Sequence, residues 1–221
     1  MEQAGMPPQP PPTVPDEYPV QFSVDYPDRP LNRVSTGFRI FAAIPIVIVL
    51  QTISGYQGGW WYDPPPVVIG GAGLLFLPPL LMILFRHKYP RWWFDWNLEL
   101  LRFTNRVGIY AFGLMDDRYP STDEHQAVKL DFPYPDAERD LNRWLPLVKW
   151  LLAIPHYIVL AFLYIAVFFC VIFAWFAILF TTRYPRSLFE FVEGVVRWHN
   201  RVAGYAFLLV TDRYPPFKLS P

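Results

Sequence analysis

Residues Leu145–Phe180 read LPLVKWLLAIPHYIVLAFLYIAVFFCVIFAWFAILF, and the reading of this stretch decides the fold. Lys149 and His156 are its only ionisable groups besides tyrosine and cysteine. As one upright helix these roughly 36 residues would be about 54 Å long at 1.5 Å per residue. The hydrocarbon core of a bilayer is about 30 Å thick, and a tilt of about 20° does not absorb the excess. The length therefore predicts two passes with a reversal near Phe162–Val167, although no turn residue marks one.

A second apolar region lies upstream. Phe38–Ile53 is interrupted only by Arg39, Gln51 and Thr52, and Val67–Phe85 is a further apolar run. Between them Gly55–Pro66 is polar and Pro-rich, with Trp60, Trp61 and Tyr62 placed as aromatic residues are at a membrane surface. This predicts a helical hairpin of two spans, so the whole chain reads as a four-span α-helical membrane protein. The composition agrees. The 221 residues are 53% hydrophobic, 19% aromatic and only 17% charged, below the roughly 25% of soluble domains. A formal net charge of zero gives no general case for nucleic acid, and a single cysteine rules out an intramolecular disulfide.

Residues 1–17, with Pro7, Pro8, Pro10, Pro11, Pro12 and Pro15, lack the basic flank and apolar stretch of a secretory signal. They read as a disordered tail that could dock in a partner's aromatic groove. Arg29, Arg33, Arg86, Lys88, Arg91, Arg183 and Arg186 flank the apolar runs, and the Gly55–Pro66 tip has no Lys or Arg. The positive-inside rule then places both termini and the central segment in the cytoplasm of an inner-membrane protein.

The chain repeats itself. Tyr89-Pro90-Arg91 recurs as Tyr184-Pro185-Arg186, Asn105-Arg106-Val107 as Asn200-Arg201-Val202, and Asp117-Arg118-Tyr119-Pro120 as Asp212-Arg213-Tyr214-Pro215, all at one spacing. The heads match at a larger spacing: Tyr26-Pro27-Asp28 with Tyr134-Pro135-Asp136, Leu31-Asn32-Arg33 with Leu141-Asn142-Arg143, and Ala43-Ile44-Pro45 with Ala153-Ile154-Pro155. The difference implies an insertion in the first half, most simply at the Gly55–Pro66 tip. The units are residues 18–120 and 127–221, joined by a linker at 121–126. Two units entering from one side are parallel repeats related by an axis along the membrane normal.

Within each unit, Val20–Asp25 and Val128–Phe132 alternate as half-buried strands do. Trp92–Arg106 and Leu188–Arg201 read as interfacial amphipathic helices. Gly108–Met115 and Gly204–Thr211 are short apolar runs expected to be strands, which would complete a small four-stranded cytoplasmic sheet.

Four motifs carry a resemblance: Tyr18-Pro19-Val20 to Tyr26-Pro27, Ala153-Ile154-Pro155-His156, Ile178–Arg186, and Thr211-Asp212-Arg213-Tyr214-Pro215-Pro216-Phe217. Together they resemble a bacterial membrane-protein family, common in actinobacteria, filed as domain of unknown function 4389. Lys129–Leu219 matches closely. The first half matches more loosely, departing at the inserted loop and at Thr104, where the second half has His199. The resemblance implies a membrane protein with two tandem copies and supplies no activity.

Several groups are candidates for function. His156, next to Pro155, and Lys149 two turns earlier are intramembrane polar residues, which could serve transport or simply hydrogen-bond and snorkel. Arg106, Arg118, Arg201 and Arg213, with Asn105 and Asn200, are candidate lipid or partner contacts, because guanidinium groups suit phosphate oxygens. An Asp–Arg lock within each turn is the bland alternative. Asp95 with Glu99 and Glu190 with Glu193 more plausibly pair with Arg102 and Arg197 than hold a metal. No catalytic glycine or nucleophile motif occurs. The expectation is therefore a non-enzymatic protein with no cofactor, organising anionic phospholipid, a membrane-protein partner or a second copy at the cytoplasmic face. The rival is a small carrier or channel using Lys149 and His156.

Overall fold

The computed structural model describes residues 17–54, 71–121 and 126–221. Almost all of the Pro-rich tail, the tip expected at Gly55–Pro66 and the centre of the linker lie outside the described residues. In chain order the elements are β1 (Gln21–Val24), α1 (Arg33–Ser54), α2 (Gly71–Leu81), α3 (Arg91–Gly108), β2 (Val128–Asp131), α4 (Pro146–Leu152), α5 (Ile154–Thr181) and α6 (Arg186–Ala206). α2 and α3 each end in a π turn, Met82–Arg86 and Ile109–Gly113. The described chain is thus mostly helical with one two-stranded sheet, and α1 and α5 are long and apolar enough to cross a membrane.

The strands form where alternation predicts them. Phe22 and Val24 of β1 and Val128 and Leu130 of β2 turn into the core, and their neighbours turn outward. The pairing is antiparallel, with Phe22 opposite Leu130 and Val24 opposite Val128. α3 and α6 follow Pro90 and Pro185, both in extended backbone, and each buries one face. Phe94, Leu98 and Phe103 do so on α3, and Phe189, Val192, Val195 and Val202 on α6. These two helices form a middle layer. The sheet packs on one side of it, β1 against α6 and β2 against α3, while α1 packs on α3 and α5 packs along α6 on the other.

α5 meets α6 through a narrow stripe that begins in α4. Lys149, Ala153, His156, Leu160, Ala174 and Ile178 are buried, with Leu163, Val167 and Cys170 partly buried between them. The spacing alternates three and four, as in a helix that keeps one seam on its partner. Most of the large apolar side chains beside the stripe point outward, among them Ile158, Phe162, Ile165, Phe169, Phe173, Phe176 and Phe180, while Trp175 turns to α1 and donates to the Thr36 carbonyl at 3.2 Å.

Two expectations are corrected here. The reversal near Phe162–Val167 does not exist, since α5 is one helix of 28 residues. The only break in the stretch is at Ala153, ahead of Pro155, which sits in the first turn of α5, where a missing N–H costs nothing. No residue between Pro155 and Phe180 supplies a turn, and the helix ends only at Thr182 in the left-handed conformation before Pro185. The second half therefore contributes one long helix rather than two passes. Gly108–Met115 and Gly204–Thr211 are not strands either, so the sheet has two strands rather than four. α3 runs on into its π turn and α6 reaches Ala206, each chain then turning at a left-handed leucine, Leu114 and Leu209. Short buried apolar runs fit a helix end as well as a strand, and here the helical hydrogen bonding simply continues.

Gly204 marks the closest approach between layers, because a Cβ there would lie 2.7 Å from Val20 Cγ2. Gly204→Ala should lower stability by about 1–3 kcal/mol through overpacking. Gly108→Ala, facing open space, should raise it by about 0.5–1 kcal/mol. Unfolding midpoints in mild detergent check both.

Candidate functional site

Two buried cations lie where α1 and α4 meet the turns that follow α3 and α6. Lys149 has no exposed surface. Its Nζ lies 2.7 Å from Asp212 Oδ1, donates to the Thr211 carbonyl at 2.7 Å, and sits 5.2 Å from the centre of the Tyr205 ring. Asp212 Oδ2 accepts the Asn142 N–H, and Asn142 Oδ1 accepts the Trp144 N–H at 2.9 Å. One carboxylate thus fixes both the start of α4 and the cation that α4 carries.

A matching socket lies on α1. Arg39 is fully buried, donates to the Asp116 carbonyl at 2.9 Å and covers the Tyr110 ring at 5.1 Å. Asp117 Oδ2 accepts the Asn32 N–H at 3.3 Å, and Asn32 Oδ1 accepts the Val34 N–H at 2.9 Å. The sockets differ in one respect. Asp117 pairs with Arg29 instead of the buried cation, whereas Asp212 takes Lys149 itself. Arg39 was not singled out from the sequence, yet applying the head spacing to Lys149 lands on it.

His156 is likewise enclosed. Trp198 Nε1–H donates to its Nδ1 at 3.0 Å, and Phe217 stacks on the ring at 4.0 Å and 17°. An accepting Nδ1 requires a neutral imidazole protonated on Nε2. In the first half the corresponding contact is apolar, Ile46 packing on Phe103 and Val107.

The arginine and asparagine candidates divide into two groups. Asn105 and Asn200 exchange amide hydrogen bonds, each donating Nδ2 to the other's Oδ1 at 2.9 Å, where α3 crosses α6. Arg106 and Arg201 are buried and reach backbone carbonyls, Ser121 at 2.9 Å and Ser220 at 3.0 Å. Burial lowers the Arg201 pKa from its ordinary value, and the neighbouring Arg197 acts in the same direction. Arg118 and Arg213 are exposed, and Arg213 Nη1 donates to the Glu17 carbonyl at 3.3 Å. Only the last pair could meet a headgroup directly, and neither arginine is the one that locks the Asp of its own turn.

The acidic pairs on the amphipathic helices are engaged with arginine. Glu99 pairs with Arg102 at 2.6 Å and Glu193 with Arg197 at 2.5 Å, while Arg102 Nε and Arg197 Nε reach the Leu130 and Phe22 carbonyls. Among the described residues no cluster of His, Cys, Asp and Glu could hold a metal ion.

Residues 144–218 match the model of a family described as domain of unknown function, DUF4389. The match covers about a third of the chain and falls entirely in the second half, where two tandem copies were expected. It includes Lys149, His156, Asn200, Arg201, Asp212 and Arg213. No curated protein and no solved structure matches the chain.

Removing one member of the Lys149–Asp212 pair strands a buried charge. Lys149→Met should cost about 3 kcal/mol or more, and combining it with Asp212→Asn should recover over half of the loss. Denaturant unfolding of the two single variants and the double variant tests this.

Proposed function

We propose that this protein is a non-enzymatic membrane-seated module built from two copies of one unit, presenting an apolar layer to lipid and a polar layer to anionic headgroups or a membrane partner. The observation that carries the reading is the division of the long helices. α1 and α5 each bury a narrow seam that includes Thr36, Arg39 and Ala43 or His156, Leu160 and Ala174, and leave most of their large apolar side chains outside. In water that arrangement would expose an apolar patch far larger than monomeric proteins tolerate.

The duplication is supported by contacts that recur between corresponding residues. Tyr26 O–H donates to the Tyr184 carbonyl, as Tyr134 O–H does to that of Tyr89. Arg186 covers Tyr26, as Arg91 covers Tyr134. The left-handed residues are His87 with Thr182 and Leu114 with Leu209, again at the repeat spacing. Phe22 faces Leu130 and Asn105 faces Asn200, so each residue opposes its own counterpart, as residues on a pseudo-twofold axis do.

The carrier reading has less support. Lys149 and His156 face α6 and the carboxyl-terminal segment rather than a path, and every atom of Lys149 is buried against protein. An aqueous route would have to break the pair it uses. The polar layer is proposed to face the cytoplasm, following the distribution of basic residues.

The full chain should stay with membranes through salt and alkaline washes, and after reconstitution should favour vesicles containing phosphatidylglycerol. Basic residues near an anionic surface contribute about 1 kcal/mol each. Arg118→Gln with Arg213→Gln should therefore weaken that preference roughly tenfold or more, read by flotation. Release by salt into detergent-free buffer would contradict the reading.

A further inference from the structure

Resting on the membrane reading just given, we infer that the α4–α5 line lies in the plane of one leaflet and does not cross the bilayer. The partner is thus a lipid monolayer, met by the whole outer side of that line.

Three observations lead there. First, both ends of the α4–α5 line are tied to the same polar layer. At its start Lys149 holds Asp212, His156 holds Trp198, and Tyr214 O–H donates to the Leu152 carbonyl at 3.0 Å. At its end the Leu31 N–H, in the segment between β1 and α1, donates to the Thr182 carbonyl at 2.9 Å, and the Tyr26 O–H donates to the Tyr184 carbonyl just beyond it at 2.5 Å. The helix rests on that layer for its full length, about 42 Å for α5 alone, and does not project from it.

Second, an upright helix would carry charge into hydrocarbon. β1 crosses beneath α6 at Glu193 and Arg197, which bond the Val24 N–H and the Phe22 carbonyl. α6 in turn lies beneath the central part of the α4–α5 line, where Leu160, Leu163 and Val167 join the cluster that holds Val195 and Trp198. Standing α5 on end would therefore place the exposed Asp25–Lys129 ion pair, whose side chains are 58% and 63% exposed, at the bilayer midplane. Asp131 and Glu99, 77% and 56% exposed, would go with it. Charged side chains at a span centre are costly to insert and correspondingly rare there. With the line lying flat, all four face water on the side away from lipid.

Third, exposed basic residues border both ends of the line equally, Arg139 and Arg143 before α4 and Arg183 and Arg186 after α5. A crossing helix has a basic end and a poor one. A helix in the interface has headgroups at both.

The test is a depth measurement on the full chain in phosphatidylglycerol–phosphatidylcholine vesicles. In a Cys170→Ala background, nitroxides are placed through Ile158→Cys, Phe169→Cys or Phe180→Cys, all on the outer side and outside the packed seam. Depth is read from collision with oxygen against a water-soluble nickel complex. Flat seating predicts one shared depth, roughly 5–10 Å into the headgroup–acyl boundary. A deep Phe169→Cys label between two shallow ones at opposite surfaces would overturn the in-plane geometry while leaving the membrane reading intact. Nickel access at all three positions, with no oxygen preference, would overturn both.

Discussion

The structure depends on the seam by which α4 and α5 lie on α6. Ala153 and Leu160 share one buried cluster there with Val195, Trp198, Val202 and Tyr205 of α6, and further along Ala174 and Ile178 join the core that holds Tyr184 and Ile83. Small residues at Ala153 and Ala174 let the helices approach, as they do between helices in lipid, where packing rather than water expulsion drives contact. Larger residues at these places would lift α5 from α6 and leave Lys149 and His156 without partners.

Those two polar groups explain why the seam tolerates charge. A buried ammonium is stable only when paired and hydrogen-bonded, and Lys149 has a carboxylate, a carbonyl and an aromatic face around it. The carboxylate also fixes the Asn142 N–H at the entry to α4. Tertiary pairing and local chain geometry are therefore one interaction. Arg39 does the same work on α1 through the Asp116 carbonyl and Tyr110, with Arg29 completing the neighbouring Asp117. These groups hold the layers together, which is why their chemistry is turned inward.

Much of this was legible in the sequence. Alternation located β1 and β2 to within a residue, and amphipathic periodicity with the Tyr-Pro-Arg motifs located α3 and α6. The continuity of α5 was not legible. The expected reversal came from a rule about bilayer thickness, which limits a helix only if it stands upright in a bilayer, and nothing in the uniformly apolar run marks a turn. What the sequence did hold was the seam. Lys149, Ala153 and His156, spaced four and three apart, mark the buried side at its start, and Ala174 falls on the same side further along. On α5 the polar residues point in and the bulky apolar ones out, the reverse of the soluble rule. Arg106 and Arg201 misled for a similar reason, because an arginine on an amphipathic helix suggests a headgroup, and only tertiary placement reveals the carbonyls of Ser121 and Ser220 beside them.

The central claim is that one unbroken helix carries the apolar layer of the second half, with both ends held by the polar layer. A spin–spin distance between labels introduced by Ile158→Cys and Phe180→Cys, in the full chain lacking Cys170, measures this directly. A continuous helix separates the two backbone positions by about 33 Å. A separation below about 20 Å, as two packed antiparallel helices about 10 Å apart would give, would mean that the chain folds back on itself and that the account is wrong.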